Sequence, residues 1–298
     1  MDRALLGAVG LMVCGMSLIP LGDTAGKLLT GAHGLSPFLV AFARFAVGAA
    51  LVLLLLGGRV EWRLWRDGRV WLRAALIAAG IASILRALET APLASVFGAF
   101  FVGPLVSFAL SVLLLRERAT ALQVGCLLLG FAGVLVIVRP GLAPAPGLGW
   151  ALLAGVFYGG FLAASRWLGG IAPPRQLMLT QTAMGALLLL PTGIATLPSL
   201  PPVDGAVAGL LLLSGLASAS GNLLLVLAYR RAPATVLAPF VYAQLGSAAL
   251  LGWLVFGEVP DRITAAGMAL VVVAGLGTLL AARRAPVVRP GPGPGGGA

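Results

Sequence analysis

APLASVFGAFFVGPLVSFALSVLLLRE, residues 91–117, and APATVLAPFVYAQLGSAALLGWLVFGE, residues 232–258, follow one pattern. Ala-Pro opens each stretch, an apolar run follows, and a glutamate closes it. Pro92 and Pro233 are offset by 141 residues, as are Glu117 and Glu258, close to half of the 298-residue chain. A fixed offset of this size marks a duplicated unit.

Outward from these stretches the chain is apolar almost throughout. Hydrophobic residues make up 60% and charged residues 10%, where soluble domains carry roughly a quarter charged residues. Charge-free runs cover 4–22, 90–115, 119–138, 141–165, 176–203, 205–229, 232–257 and 263–282. Each is long enough for a helix to cross about 30 Å of hydrocarbon, which takes about 20 residues. Two weaker segments, 37–56 with Arg44 and 70–88 with Arg73 and Arg86, bring the expectation to ten spans. The first follows Arg3 but is too long and too continuous with further membrane sequence for a cleaved signal peptide. Cys14 and Cys126 fall inside spans, so no disulfide framework is implied, and a single His33 excludes a histidine metal cluster. No cofactor or metal is expected.

The net charge of +11 reads as topology rather than as nucleic-acid binding, because basic residues concentrate on the cytoplasmic side of a membrane. With ten spans, 15 cations fall on one side: Arg3, Arg59, Arg63, Arg66, Arg69, Arg73, Arg116, Arg118, Arg166, Arg175, Arg230, Arg231, Arg283, Arg284 and Arg289. Only Lys27, Arg86, Arg139 and Arg262 fall on the other, with Arg44 inside a span. Both termini are therefore expected in the cytoplasm of a multi-pass inner-membrane protein. Five spans per copy is an odd number, so the copies cross in opposite senses. The expected fold is all-α, ten transmembrane helices as two inverted five-helix repeats around a central cavity. The repeats are read as 4–138 and 147–284, joined by a Pro/Gly-rich linker at 139–146, with a disordered tail over 285–298. Inverted repeats are a common secondary-transporter architecture, with the substrate site near mid-bilayer between the repeats.

Asp23 and Lys27 near the end of span one, Ser36-Pro37 and Arg44 in span two, and Ala91-Pro92 through Glu117 resemble the EamA-type transporters of the drug/metabolite transporter superfamily, as does the second copy with Ala232-Pro233 and Phe256-Gly257-Glu258. The resemblance covers about 4–284. It implies two inverted five-helix bundles around a cavity and export of small metabolites by alternating access. Bacterial members of similar build that export amino acids, aromatic ones included, are the nearest general likeness. The first copy departs from the pattern with Arg116 where glycine normally precedes the acid.

Arg44 lies about two turns inside span two, where a charge costs roughly 2.5–3.5 kcal/mol unless it faces a partner or a wet cavity. Asp23 and Lys27, four apart on one helical face, can pair. With Arg86 and Glu89 they fall at the same end as Arg44 and are read as one ionic cluster. The cluster serves either as a gate and carboxylate site or as a structural network that lets Arg44 snorkel outward. In the second copy the position of Arg44 is held by Gln181, an uncharged opposite gate. Phe97, Phe101, Tyr158, Asn222, Tyr242 and Gln244 are the candidates to line the cavity. Phe101 and Tyr242 correspond under the 141-residue offset, and an aromatic and amide lining suits a zwitterion with an apolar side chain or a neutral amphipathic solute. Ordinary helix packing is the alternative for each aromatic. Gly155, Gly159 and Ala163, and Gly205 with Gly209, are spaced for close helix approach.

None of the nine acids sits at the middle of a span. That favours facilitated diffusion or exchange, with proton coupling through Asp23 or Glu89 as the alternative, and Glu117 and Glu258 as interfacial helix-end residues. A proton-coupled exporter of drugs, nucleosides or sugars is the alternative substrate reading. No G-x-S-x-G, H-E-x-x-H or aspartate cluster supports an intramembrane enzyme, and rings of like charge expected of a channel are absent. A monomer in the bilayer acting on a small molecule is expected.

Overall fold

The computed structural model describes residues 3–114, 120–139, 146–232 and 234–284, and every regular element among them is helical. Glu117, Pro233, most of the 139–146 linker and the 285–298 tail lie outside the described residues. The helices are α1 (Arg3–Gly31), α2 (Pro37–Leu55), α3 (Gly68–Leu88), α4 (Leu93–Phe100), α5 (Val102–Leu114), α6 (Ala121–Val138), α7 (Leu148–Trp167), α8 (Pro174–Ala195), α9 (Gly205–Arg231), α10 (Ala234–Leu237), α11 (Ala243–Phe256) and α12 (Arg262–Arg284). Together α4 and α5 make the fourth span, and α10, the 3-10 turn Ala238–Tyr242 and α11 make the ninth. Nine segments of the described residues have the length and apolarity to cross a bilayer. α12 supplies the tenth, apolar over Arg262–Gly277.

Local signals start these helices where the chain leaves the membrane. Pro37 occupies the first turn of α2, where its missing N–H costs nothing. Asp67 accepts from the Arg69 N–H to cap α3, and Thr120 with Gln123 forms a capping box on α6. Asp204 accepts from Val207 N at 2.8 Å to cap α9.

Packing between the helices repeats under an inverted two-fold relation. α1 packs on α9 as α7 packs on α3, α2 on α9 as α8 on α3, and α1 on α11 as α7 on α4 and α5. The remaining large interfaces join a helix to its own counterpart: α2 with α8, α6 with α12 and α4 with α11. Counterparts that meet in pairs place the pseudo-axis between the repeats.

Spans four and nine both break near the position of that axis. Pro104 lacks an N–H for the Phe100 carbonyl and crowds it, so the helix interrupts at Phe101. Pro239 opens the 3-10 turn in span nine. The break leaves room for α7, because a side chain at Gly155 would stand 2.6 Å from the Phe100 carbonyl oxygen and one at Gly159 2.6 Å from that of Gly103. The other expected glycine pair differs: Gly205 and Gly209 have nothing within 4 Å, so no helix approaches them. The close crossing of α1 and α9 is made instead by Gly15 and Gly221, each of which would drive a Cβ to 2.8–2.9 Å from the other's carbonyl oxygen. Gly221→Val is expected to lower the detergent-solubilised melting midpoint and the yield, at about 1–3 kcal/mol for overpacking. An unchanged midpoint would show that α1 and α9 are free to separate.

Candidate functional site

Eight of the ten spans surround a central cavity, and α6 and α12 pack outside it. The cavity has a volume of about 100 Å³ for water-sized centres, where one water needs about 10–15 Å³. One wall is aromatic. Phe97 and Phe100 on α4 stand edge to face at 6.3 Å, Phe100 meets Tyr158 on α7 at 4.9 Å, and Tyr158 stacks on Phe161 at 5.9 Å. Helical spacing explains the ladder: residues three apart share a face, and the glycines of α7 bring its face against the broken α4. Amides share the lining. Asn222 donates to the Ser218 carbonyl at 2.9 Å, leaving its own oxygen for the cavity. Gln244 on α11, 8% exposed, and Gln181 on α8 complete the polar rim.

Phe97, Tyr158, Asn222 and Gln244 thus border the cavity, as do Asp23, Arg44 and Gln181. Phe101 and Tyr242 do not. They stack on one another at 5.4 Å and 22°, and the Tyr242 hydroxyl fills the space above Gly275, where a Cβ would stand only 1.1 Å away. The two-fold relation that aligns the pair also brings it face to face, beside the cavity and under α12.

The five charges expected in one cluster separate into pairs. Arg44 bonds Asp23, and both are buried at 4% and 1% exposure. Arg44 Nη2 is buried without a hydrogen-bond partner. Lys27 does not pair with Asp23. It bonds the Glu258 carboxylate of the other repeat, donates to the Ala91 carbonyl at 2.9 Å and lies over the Phe256 ring. The second Glu258 oxygen accepts from Leu93 N at 2.9 Å, the first free N–H of α4. Glu258 is therefore more than a helix-end residue: it clasps the Ala91-Pro92 turn of the first repeat. Arg86 and Glu89 pair with each other at the surface, away from the cavity. Beside the clasp, Arg139 bonds Asp261, and that bond with the Thr264 N–H holds the Asp261 carboxyl well below the usual carboxylate range.

At the opposite end a buried cation stands beside Gln181. Arg73 is only 7% exposed. Its Nε donates to Ser165 Oγ at 2.8 Å, Nη1 to the Leu177 carbonyl at 3.1 Å and Nη2 to Gln181 Oε1 at 2.9 Å. Its guanidinium lies 4.6 Å over the Phe161 ring. In the sequence Arg73 counts only as the last cation of the 59–73 run on the cytoplasmic side; the polar residues it meets come from α7 and α8. Among the described residues no group of three or more His, Cys, Asp or Glu could hold a metal.

Known proteins share this plan. A riboflavin transporter of Rhizobium johnstonii is 28% identical over 283 residues, covering 92% of this chain and 91% of that protein. The pseudopaline exporter CntI of Pseudomonas aeruginosa is 29% identical over 239 residues, covering 79% of this chain and 83% of its own. A solved crystal structure superposes with a TM-score of 0.64 at 21% identity, over 92% of this chain and 98% of that one, and shares the fold. The profile of the EamA-like transporter family matches twice, over residues 6–139 and 145–280. With both halves of the chain matched, the protein belongs to the EamA-like transporter family.

Proposed function

We propose that this secondary transporter of small metabolites carries flat heteroaromatic solutes of the riboflavin kind rather than amino acids, moving them out of the cell across the inner membrane. One observation carries the reading: a continuous ladder of Phe97, Phe100, Tyr158 and Phe161 lines the same cavity as the amides of Gln181, Asn222 and Gln244. Rings of this kind stack a planar solute, and amides in an apolar site bond a polar rim. The relatives support it, since the amino-acid likeness has no counterpart among them, whereas riboflavin transporters recur in Rhizobium johnstonii, Brucella anthropi and Vibrio cholerae. Alternating access at the repeat interface fits the inverted packing, and the cation excess supports placing the Glu258 end outside and both termini in the cytoplasm.

Proton coupling is a second reading, favoured by Asp23. It is the one carboxylate among the described residues that borders the cavity, and intramembrane acids are the usual proton carriers of transporters.

The test is counterflow in proteoliposomes loaded with riboflavin, run with and without a pH gradient. Saturable accumulation of labelled riboflavin is expected, resistant to excess tryptophan and phenylalanine, and reduced at least about tenfold by Phe100→Ala through the loss of a stacking face. Absence of saturable flux, or stronger competition by the aromatic amino acids, would overturn it.

A further inference from the structure

The Arg73 end of the cavity holds an unbalanced charge. Arg73 donates to a hydroxyl, a backbone carbonyl and a side-chain amide, all of them neutral. None of the ion pairs among the described residues includes it. The described carboxylates are engaged elsewhere, Asp23 by Arg44, Glu61 by Arg63, Asp67 by Arg69, Glu89 by Arg86, Glu258 by Lys27, Asp261 by Arg139 and Asp204 by Val207 N. At the other end of the cavity, Asp23 offsets Arg44. Among the described residues the charge left without an opposite beside the cavity is therefore positive and sits on Arg73. In surroundings of low polarity the field of such a charge falls off slowly with distance, and low-dielectric walls focus it into the cavity.

Gln181 stands between that charge and the cavity. A guanidinium can only donate, so the Gln181 oxygen must face Arg73, and this fixes which way the amide is turned. Its –NH2 is then directed away from Arg73, on a side chain that lines the cavity. The result is a donor pair held in one orientation, polarised by a charge directly behind it. Phe161, carrying the same guanidinium on its face, lines the cavity beside those donors and ends the aromatic ladder there.

We propose that the Arg73 end of the cavity is an anion subsite, in which Gln181 donates to a carboxylate or phosphate borne by a flat-ring solute and Arg73 acts as the positioning residue. The proposal rests on the reading of the cavity as the transport site and adds to it a preference, among flat-ring solutes, for those that bear an acid. Ring and anion divide the recognition: the aromatic ladder holds the ring, and Gln181 holds the acid.

The experiment uses two pairs of probes that differ mainly in charge: nicotinate with nicotinamide, and riboflavin 5′-phosphate with riboflavin. Each is titrated against the full chain in lipid nanodiscs, with the melting midpoint as readout. In the unsubstituted protein the anionic member of each pair is expected to act at concentrations about tenfold or more below its neutral partner, as for a hydrogen bond to a charged group. Gln181→Glu is the decisive variant. It places a carboxylate against Arg73, so the tie between α3 and α8 is kept or strengthened while the subsite is neutralised. The anion preference should vanish with no fall in the ligand-free midpoint. Arg73→Gln should lose the same preference, and Gln181→Glu carries the test if that variant does not fold. Preference that survives Gln181→Glu, or equal action of both members of each pair, overturns the anion subsite and leaves the cavity reading standing. No response to any of the four probes overturns both.

Discussion

Arg44→Leu is expected to lower stability by about 3–5 kcal/mol, the cost of leaving one member of a buried ion pair without the other. Asp23 is 1% exposed, and among the described residues Arg44 is the only side chain that donates a hydrogen bond to its carboxylate. The pair also ties two spans, α1 and α2, at the wall of the cavity. Loss of expression and a collapsed melting midpoint should follow, and Asp23→Leu alone should do the same through the stranded guanidinium. Asp23→Leu with Arg44→Met should recover most of the stability, because two apolar side chains in place of a buried pair are often neutral. Transport should stay abolished in the double variant, since the cavity has then lost both charges of that end. The double-mutant cycle separates the interaction from the single losses. A wild-type midpoint for Arg44→Leu would show that the guanidinium reaches water and needs no carboxylate.

Much of this was legible before any coordinates. Hydropathy gives ten spans because the bilayer demands about 20 apolar residues of each, and an odd span count in each copy dictates the inversion. What was not legible is which polar groups meet. Asp23 and Lys27 look like a pair because they are four apart on one helix. Yet Asp23 bonds Arg44, 21 positions away, and Lys27 bonds Glu258, 231 away, because inside the bundle the rotation of each helix decides the partner. Arg73 was hidden for the same reason, since its acceptors lie 92 to 108 residues along the chain. Phe101 and Tyr242 correspond under the 141-residue offset, but sequence symmetry does not say how far a residue stands from the axis. They stand close enough to stack. One further signal stands in the sequence: Pro104 removes the donor for the Phe100 carbonyl, which predicts the break in span four.

The second large effect concerns the clasp. Lys27, Glu258, the Ala91 carbonyl and the Leu93 N–H join the start of α4 in one repeat to the end of α11 in the other. If access alternates at the repeat interface, the Glu258 end opens only when this clasp parts, and α4 must leave α11. The side chains of the clasp are partly exposed, at 12% for Lys27 and 24% for Glu258, which suits a contact made and broken in each cycle rather than a permanent core element. A covalent bond across the same seam removes that freedom. A Cβ built at Gly252 stands 3.4 Å from the Leu93 Cβ, at the short edge of the roughly 3.5–4.5 Å found in disulfides. The natural cysteines, Cys14 and Cys126, are free and would be replaced by serine so that the new pair alone can be oxidised.

The central claim is tested most directly by flux through Leu93→Cys/Gly252→Cys in proteoliposomes, measured oxidised and then reduced in one preparation. Once the disulfide has formed, transport should fall to background, and reduction should restore it. Undiminished transport with the disulfide fully formed would contradict a seam that opens between the repeats at the Glu258 end.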